Sequence, residues 1–292
     1  MNLQNERYTG FALVREMIET VDTVRRFAGA DSLTPATDQL LLTGEGSSRI
    51  FPAKRLRAQA LREGSNLRVV TEGASQALEY PLDEYHVFIA SNSGKTAEGV
   101  RLLRALREKG GARRITAVAA YEDSPIPKEA DDAYILRCGS EEAVAATKSV
   151  VEQALLYDFL YRRWSGLPRL DLGTLADHME QVLGLDVPRD VVEFAVGAPI
   201  IYFAGRNDGV AEELTLKTNE ITRKKSDFLE GTYGVHGIEE VMRPEELVVL
   251  VDPFPEEEEK FQQVLEKGVG LKIVAIADRE TRFPTIPLPR VK

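Results

Sequence analysis

A short apolar run followed by an amphipathic helix, repeated along most of the chain, is the pattern that most limits how this sequence can fold. Residues 39–44 (QLLLTG) read as a buried strand, and PAKRLRAQALRE after them as a helix. LRVVTE (67–72) and HVFIAS (86–91) read as strands. TAEGVRLLRALREKG (96–110) reads as a helix with Val100, Leu103 and Leu106 turned inward and a glycine at its end. Strands follow at 113–120 and 133–138, then a long helix over 144–164 with so little charge before its end that it must be heavily buried. The Gly- and Pro-punctuated stretch 165–178 interrupts the pattern, which then restarts: strand 199–205, helix 210–225, strand 247–253, helix 258–268, strand 271–278 and a last short strand 285–289. Such alternation predicts an α/β protein with doubly wound parallel sheets. Ahead of it, Phe11, Val14, Ile18, Val21, Val24 and Phe27 stand at helical spacing, so 7–28 is expected to be a leading helix that covers the sheet or a partner subunit.

The two halves can be laid over each other. LLLTGEGSS before a helix corresponds to IIYFAGRND before a helix, and HVFIASNSG…RRITAVAA corresponds to LVVLVDPFP…LKIVAIAD. A repeat of domain length means two copies of one unit, and 292 residues suit two domains at ~100–200 residues each. The expected division is an N-terminal helical segment 1–32, a first domain 33–167 and a second 168–292. With 37 Lys+Arg against 47 Asp+Glu, the chain lacks the basic surface of a general nucleic-acid binder. Cys138 is the only cysteine and there are three histidines, which excludes an intrachain disulfide and a Cys-based zinc cluster and argues against a His-rich metal site. No apolar run approaches the ~18 residues of a membrane helix, and MNLQNERYTG lacks the basic-then-apolar form of a secretory signal. The expectation is a soluble cytoplasmic protein.

Ligands of open parallel sheets bind beyond the carboxyl ends of the strands. In the first half those ends read Thr43-Gly44-Glu45-Gly46-Ser47-Ser48 and Ser91-Asn92-Ser93-Gly94-Lys95-Thr96, each running into a helix. A helix N-terminus presents N–H groups and a positive dipole end to an anion, hydroxyls add donors, and glycine lets the backbone approach closely. Either loop alone reads as ordinary N-capping. Both together, each replaced in the second half by Arg206-Asn207-Asp208-Gly209 and by Asp252-Pro253-Phe254-Pro255-Glu256, favour one phosphate site, in the first half. Neither loop is a Walker loop, and Gly44-Glu45-Gly46 lacks the third glycine of a dinucleotide fingerprint.

At these residues the sequence resembles the sugar isomerase (SIS) domain family, in particular the tandem SIS domains that form the isomerase half of glucosamine-6-phosphate synthase. Gly46-Ser47-Ser48 resembles the family's Gly-Thr-Ser loop and Ser91 to Thr96 its Ser-Gln-Ser-Gly-Glu-Thr loop. EEAVAATK (141–148) resembles E-I-G-V-A-S-T-K, and LKTNEITRKKSDFLEGTYGVHG resembles L-K-L-K-E-I-S…G-E-L-K-H-G-P. The resemblance implies two tandem doubly wound SIS domains and a sugar 6-phosphate ligand. It places Gly46, Ser47, Ser48, Ser91, Asn92, Ser93, Thr96 and Val144 at substrate-binding positions. Glu220 falls on the glutamate that moves a proton between C1 and C2. His236, sixteen residues on, falls on the histidine of ring opening, which the neighbouring subunit supplies, so a homodimer is implied. A carboxylate base tuned toward neutrality suits an enediol step, and histidine suits the proton transfers of ring opening near pH 7. Neither step needs a cofactor or a metal.

The sequence departs from the family in three places. Residue 2 is Asn where the synthases have a cysteine nucleophile, so no glutaminase domain is expected. Ala146 stands for the serine of V-A-S-T-K and Glu45 for the cysteine before Gly-Thr-Ser, which puts a carboxylate beside the sugar and favours an amine there. The sequence stops at Lys292, just after the last expected strand, where relatives continue to a tail with a site lysine: either the protein lacks that tail or the sequence is incomplete there. The reading is a sugar-phosphate isomerase or amino-sugar-phosphate deaminase. The alternatives are a non-catalytic sugar-phosphate-binding regulator and a deglycase of an amine-linked sugar 6-phosphate. His86, His178, Lys148 and the run Glu256–Glu259 are expected to be structural or solvated.

Overall fold

The computed structural model describes residues 6–290. The chain divides into two compact units, Glu6–Asp177 and His178 onward. The first contains α1 (Glu6–Thr9), α2 (Ala12–Arg26), β1 (Gln39–Gly44), α3 (Ile50–Arg62), β2 (Arg68–Val70), α4 (Ala74–Ala77), β3 (His86–Ala90), α5 (Ala97–Lys109), β4 (Arg114–Ala119), α6 (Pro125–Glu129), β5 (Asp132–Ile135) and α7 (Lys148–Trp164). Helix α8 (Leu172–Leu183) carries the chain past the division. The second unit continues with α9 (Arg189–Gly197), β6 (Ile200–Gly205), α10 (Val210–Thr222), β7 (Lys225–Glu230), β8 (Leu247–Val251), α11 (Glu258–Phe261), β9 (Lys272–Ala277) and β10 (Thr285–Pro287).

Each unit holds one five-stranded sheet, ordered β2-β1-β3-β4-β5 in the first and β7-β6-β8-β9-β10 in the second. Every pairing is parallel. Both sheets share one topology, so the sequence repeat is a repeat of structure.

The period-2 alternation of a strand sorts its side chains onto two faces. In the first unit Leu40, Leu42, Phe88 and Val118 pack against Leu56 of α3 and Leu156 and Leu160 of α7. Leu41, Val87, Ile89 and Ala117 pack on the other face against Leu102, Leu103 and Leu106 of α5. The second unit repeats the arrangement, with Tyr202, Val248 and Ile273 over Phe261 and Leu265 on one face, and Ile201, Phe203 and Val274 over Val191 and Ala211 on the other. Central strands buried on both faces read as the continuous apolar runs that betray them in the sequence.

Several elements differ from the sequence reading, each for a physical reason. The leading helix breaks at Gly10 into α1 and α2; Phe11 is extended backbone and exposed, not part of the apolar face. The strand expected over 133–138 ends at Ile135, because Arg137 N and Cys138 N donate to the buried Glu152 carboxylate at 2.9 and 2.7 Å instead of to a neighbouring strand. The helix expected from 144 starts at Lys148, because the Glu141 carboxylate accepts from Thr147 N at 2.7 Å and holds 141–147 as an irregular segment. The helix over 210–225 stops at Thr222, where Arg223 turns left-handed (φ 58°), and the polar KSDFLE after it becomes strand β7. The punctuated stretch 165–178 contains the start of α8, whose first turn is capped by Asp171 bonding Thr174 N at 3.0 Å. The helix over 258–268 is α-helical only through Phe261 and continues as a π-helix over Gln262–Val269.

Candidate functional site

Strands β1 and β3 are neighbours, with Gly44 opposite Ala90, so the two serine-rich loops leave the sheet side by side. The helices that follow, α3 and α5, pack on opposite faces. That reversal is the switch point at which open α/β sheets bind ligands. Gly44 is required here: a Cβ on it would lie 2.6 Å from the Ala90 carbonyl oxygen.

The loop after β3 is a tight turn closed by Gly94 N donating to Ser91 O at 2.9 Å. Gly94 has φ +63°, and a Cβ there would fall 1.8 Å from Ser124 Oγ. The turn gathers three hydroxyls. Ser91 Oγ, buried, lies 2.8 Å from Thr96 Oγ1 and 3.4 Å from Ser93 Oγ. Thr96 occupies the N-cap of α5, yet no side chain caps the first turn, because its hydroxyl faces Ser91. Hydroxyl donors, a left-handed glycine and an uncapped helix start make an anion cradle of the kind a phosphate monoester fits.

The loop after β1 is held from behind. The main-chain carbonyl of Ser48 accepts from the amide of Gln153, a buried residue of α7. Gly46 takes φ +54° and Ser47 is buried. Glu45 does not hang free: one carboxylate oxygen accepts from Ala74 N at 3.0 Å and so caps α4. The segment 141–147 joins the β3 loop through Glu141, which accepts from Asn92 Nδ2 at 3.4 Å, from Thr147 and from the Ser149 hydroxyl. Val144, in the same segment, is 85% exposed and therefore available to a ligand.

In the second unit Glu220 lies in the last turn of α10 and is about a quarter exposed (27%). It pairs with Lys217 Nζ at 3.0 Å, which also reaches Glu213 at 3.3 Å, all on one helix face. His236 follows a 3-10 turn at Tyr233–Val235 and precedes Gly237 (φ +111°) in an exposed loop. Its Nε2 lies 3.0 Å from Lys260 Nζ. An ammonium only donates, so Nε2 must accept and the ring proton belongs on Nδ1. Glu220 and His236 thus have separate partners.

The loops equivalent to the serine-rich pair are occupied differently in this unit. Arg206 pairs with the Asp252 carboxylate at 2.6 Å and stacks over Phe254 at 4.2 Å. Arg279 pairs with Glu258 at 2.6 Å. The cations there already hold carboxylates.

Glu141, Gln153, Lys217 and Lys260 escaped the sequence reading as site residues. Lys217 is the one with a local signal, three residues before Glu220 on a helix. Among the described residues no group of three or more His, Cys, Asp and Glu side chains is arranged to hold a metal ion, and no helix is long and apolar enough to cross a membrane.

Residues 33–163 match the family described as "SIS domain". This part of the chain is similar to a SIS domain. The tandem arrangement has close structural counterparts. The C-terminal domain of glucosamine-fructose-6-phosphate aminotransferase from Francisella tularensis superposes with a TM-score of 0.73 at 17% identity, covering 99% of this chain and 90% of that one. Tagatose-6-phosphate ketose/aldose isomerase from Escherichia coli superposes with a TM-score of 0.78 at 17% identity, covering 97% and 86%. At this identity the likeness is one of fold: two tandem α/β units, each with a parallel five-stranded sheet. In sequence, the chain is 27% identical over 239 residues to glutamine–fructose-6-phosphate aminotransferase [isomerizing] from Streptomyces coelicolor, covering 70% of this chain and 38% of that protein. The chain therefore spans about two fifths of the length of that relative.

Proposed function

We propose that the chain is a sugar-phosphate isomerase-type enzyme that acts on a hexose or amino-hexose 6-phosphate by moving a proton between C1 and C2. The observation that carries this reading is the Ser91–Ser93–Thr96 hydroxyl cluster at the uncapped start of α5, beside the Gly46–Ser48 turn on the neighbouring strand. In this reading Ser48, Ser91, Ser93 and Thr96 hold phosphate and sugar oxygens, with Asn92 and Val144 beside them. Glu220 is the base: it takes a proton from one carbon of the open-chain sugar and returns it to the next through an enediol. Lys217 Nζ, 3.0 Å away, holds that carboxylate in place on the helix face. At ring opening His236 takes the O1 proton as the bond to the ring oxygen breaks and gives it to the ring oxygen. The working unit is a homodimer in which His236 serves the neighbouring site.

The relatives' names, an aminotransferase that isomerises and a ketose/aldose isomerase of a sugar 6-phosphate, support the same chemistry. A second reading, a deglycase of an amine-linked sugar 6-phosphate, draws on Glu45, an exposed residue of the first loop whose carboxylate caps α4 with one oxygen and would attract an amine. Calorimetric titration with fructose 6-phosphate and with fructose tests the phosphate cradle. The phosphorylated sugar is expected to bind and fructose not, and Ser91→Ala is expected to weaken binding about tenfold, as loss of a hydroxyl to a charged group does. Equal binding of both sugars would contradict the cradle. Release of an amine would favour the second reading, and release of ammonia the deaminase form of the first.

A further inference from the structure

The leading helix α2 carries two carboxylates that grip the segment 139–147 from outside. Glu16 is 5% exposed, and its oxygens accept from the backbone N–H groups of Glu142 at 2.5 Å and of Ala143 at 3.3 Å. One helical turn later Glu19 pairs with Lys148 Nζ at 2.6 Å, Lys148 being buried at the first position of α7. Burial alone would lower the Lys148 ammonium; the hydrogen bond and charge of Glu19, with Glu16 nearby, outweigh it and hold its pKa above the ordinary lysine value. The two carboxylates therefore fix both ends of one stretch, 142–143 and 148. Val144 lies between these ends. Glu141, immediately before them, passes the constraint to Asn92 in the loop after β3.

The amides of Glu142 and Ala143 belong to no helix or strand, and their acceptor is a side chain more than a hundred residues earlier. A carboxylate buried on a helix face is costly unless it is bonded, and these bonds are what it is bonded to. They stabilise one loop conformation rather than any regular element. We propose that Glu16 is a positioning residue for the substrate-binding segment 139–147, and that α2 acts as a strap setting the shape of the sugar side of the first unit. The inference rests on the sugar-phosphate reading above for its consequence, not for its geometry.

The test pairs amide hydrogen exchange with steady-state kinetics on the full chain, in wild type, Glu16→Ala and Glu16→Gln. In Glu16→Ala the amides of Glu142 and Ala143 are expected to exchange about tenfold faster or more, with those of β1 and β3 unchanged. KM for the sugar phosphate is expected to rise about tenfold with kcat within about twofold, and Glu16→Gln, which keeps one acceptor oxygen, to fall between. If Glu16→Ala does not fold, Glu16→Gln carries the same comparisons. Unchanged protection at 142–143, or faster exchange with unchanged KM, would overturn the inference. A wild-type protein that neither binds nor turns over fructose, glucose or glucosamine 6-phosphate would instead sink the functional reading. The exchange rates at 142–143 then decide the role of Glu16 alone: faster exchange supports the strap, and unchanged exchange refutes it.

Discussion

Gly94 shows how little freedom the phosphate-type loop has. Its left-handed φ and the 1.8 Å approach of a would-be Cβ to Ser124 Oγ leave room for no side chain. Gly94→Ala is expected to open the Ser91–Thr96 turn and lower sugar-phosphate affinity by more than tenfold, roughly 1.4 kcal/mol or more, while calorimetry with Gly110→Ala, a glycine of equal φ in open space, should show no loss of affinity. His86 carries a different prediction. Its Nδ1 accepts from Ala36 N at 3.1 Å, so the ring proton sits on Nε2, 2.8 Å from Thr116 Oγ1. Burial, then the charge of Arg114, lowers its pKa from 6.5 to about 4. The unfolded chain thus takes up this proton first as pH falls. The contribution of a neutral His86 is full above pH 6.5 and fades between 6.5 and about 4, by up to about 3 kcal/mol. Urea midpoints should show His86→Gln costing clearly more stability at pH 7 than at pH 4.5; an equal cost at both would refute the assignment. These two residues differ in legibility. Gly94 sits in a motif that the sequence displays, whereas the partners of His86 come from strand β4 and the loop before β1.

Elements were legible where burial wrote a periodic pattern, and illegible where polar groups decide the ends. Strands β1, β3, β4, β6, β8 and β9 are interior strands rich in apolar residues. Strand β7 is an edge strand in which only Leu229 is buried, so KSDFLE carries no apolar run to find. Helix α8 hides behind Pro168 and Gly173, and its start depends on one Asp171–Thr174 cap. The first turn expected for α7 is undone by Glu141, a residue inside a recognised motif whose role is to hold Thr147, Ser149 and Asn92 together. Glu141→Ala leaves these donors without their acceptor. The expected outcome is a loss of about 1–3 kcal/mol in thermal or urea unfolding together with weaker sugar-phosphate binding; unchanged binding would show that the segment does not shape the site. Glu16 gave no signal at all, since a single glutamate in an amphipathic helix looks solvated until tertiary structure buries it.

At the scale of the whole molecule, one topology occurs twice and the copies diverge at the switch-point loops. The first carries hydroxyls and glycines; the second carries Arg206 already paired with Asp252, and Arg279 from the loop after β9 is already paired with Glu258. Calorimetric titration is therefore expected to give one sugar phosphate per chain, and two equivalent sites would contradict the divergence. The repeat itself was readable from matched strand ends, and strand β7, the counterpart of β2, completes the match in the structure. The roles proposed for Glu220 and His236 rest on a motif and on side chains that each have an ordinary partner, Lys217 and Lys260, so chemistry must decide them. The deciding measurement is isotope exchange in D2O with fructose 6-phosphate, glucose 6-phosphate and glucosamine 6-phosphate, followed by NMR, with Glu220→Gln as control. Deuterium entering C1 or C2 of one sugar, with the rate lowered about a hundredfold or more in Glu220→Gln, is the expected result. Exchange that survives in Glu220→Gln, or no exchange of any sugar that binds, would contradict the account.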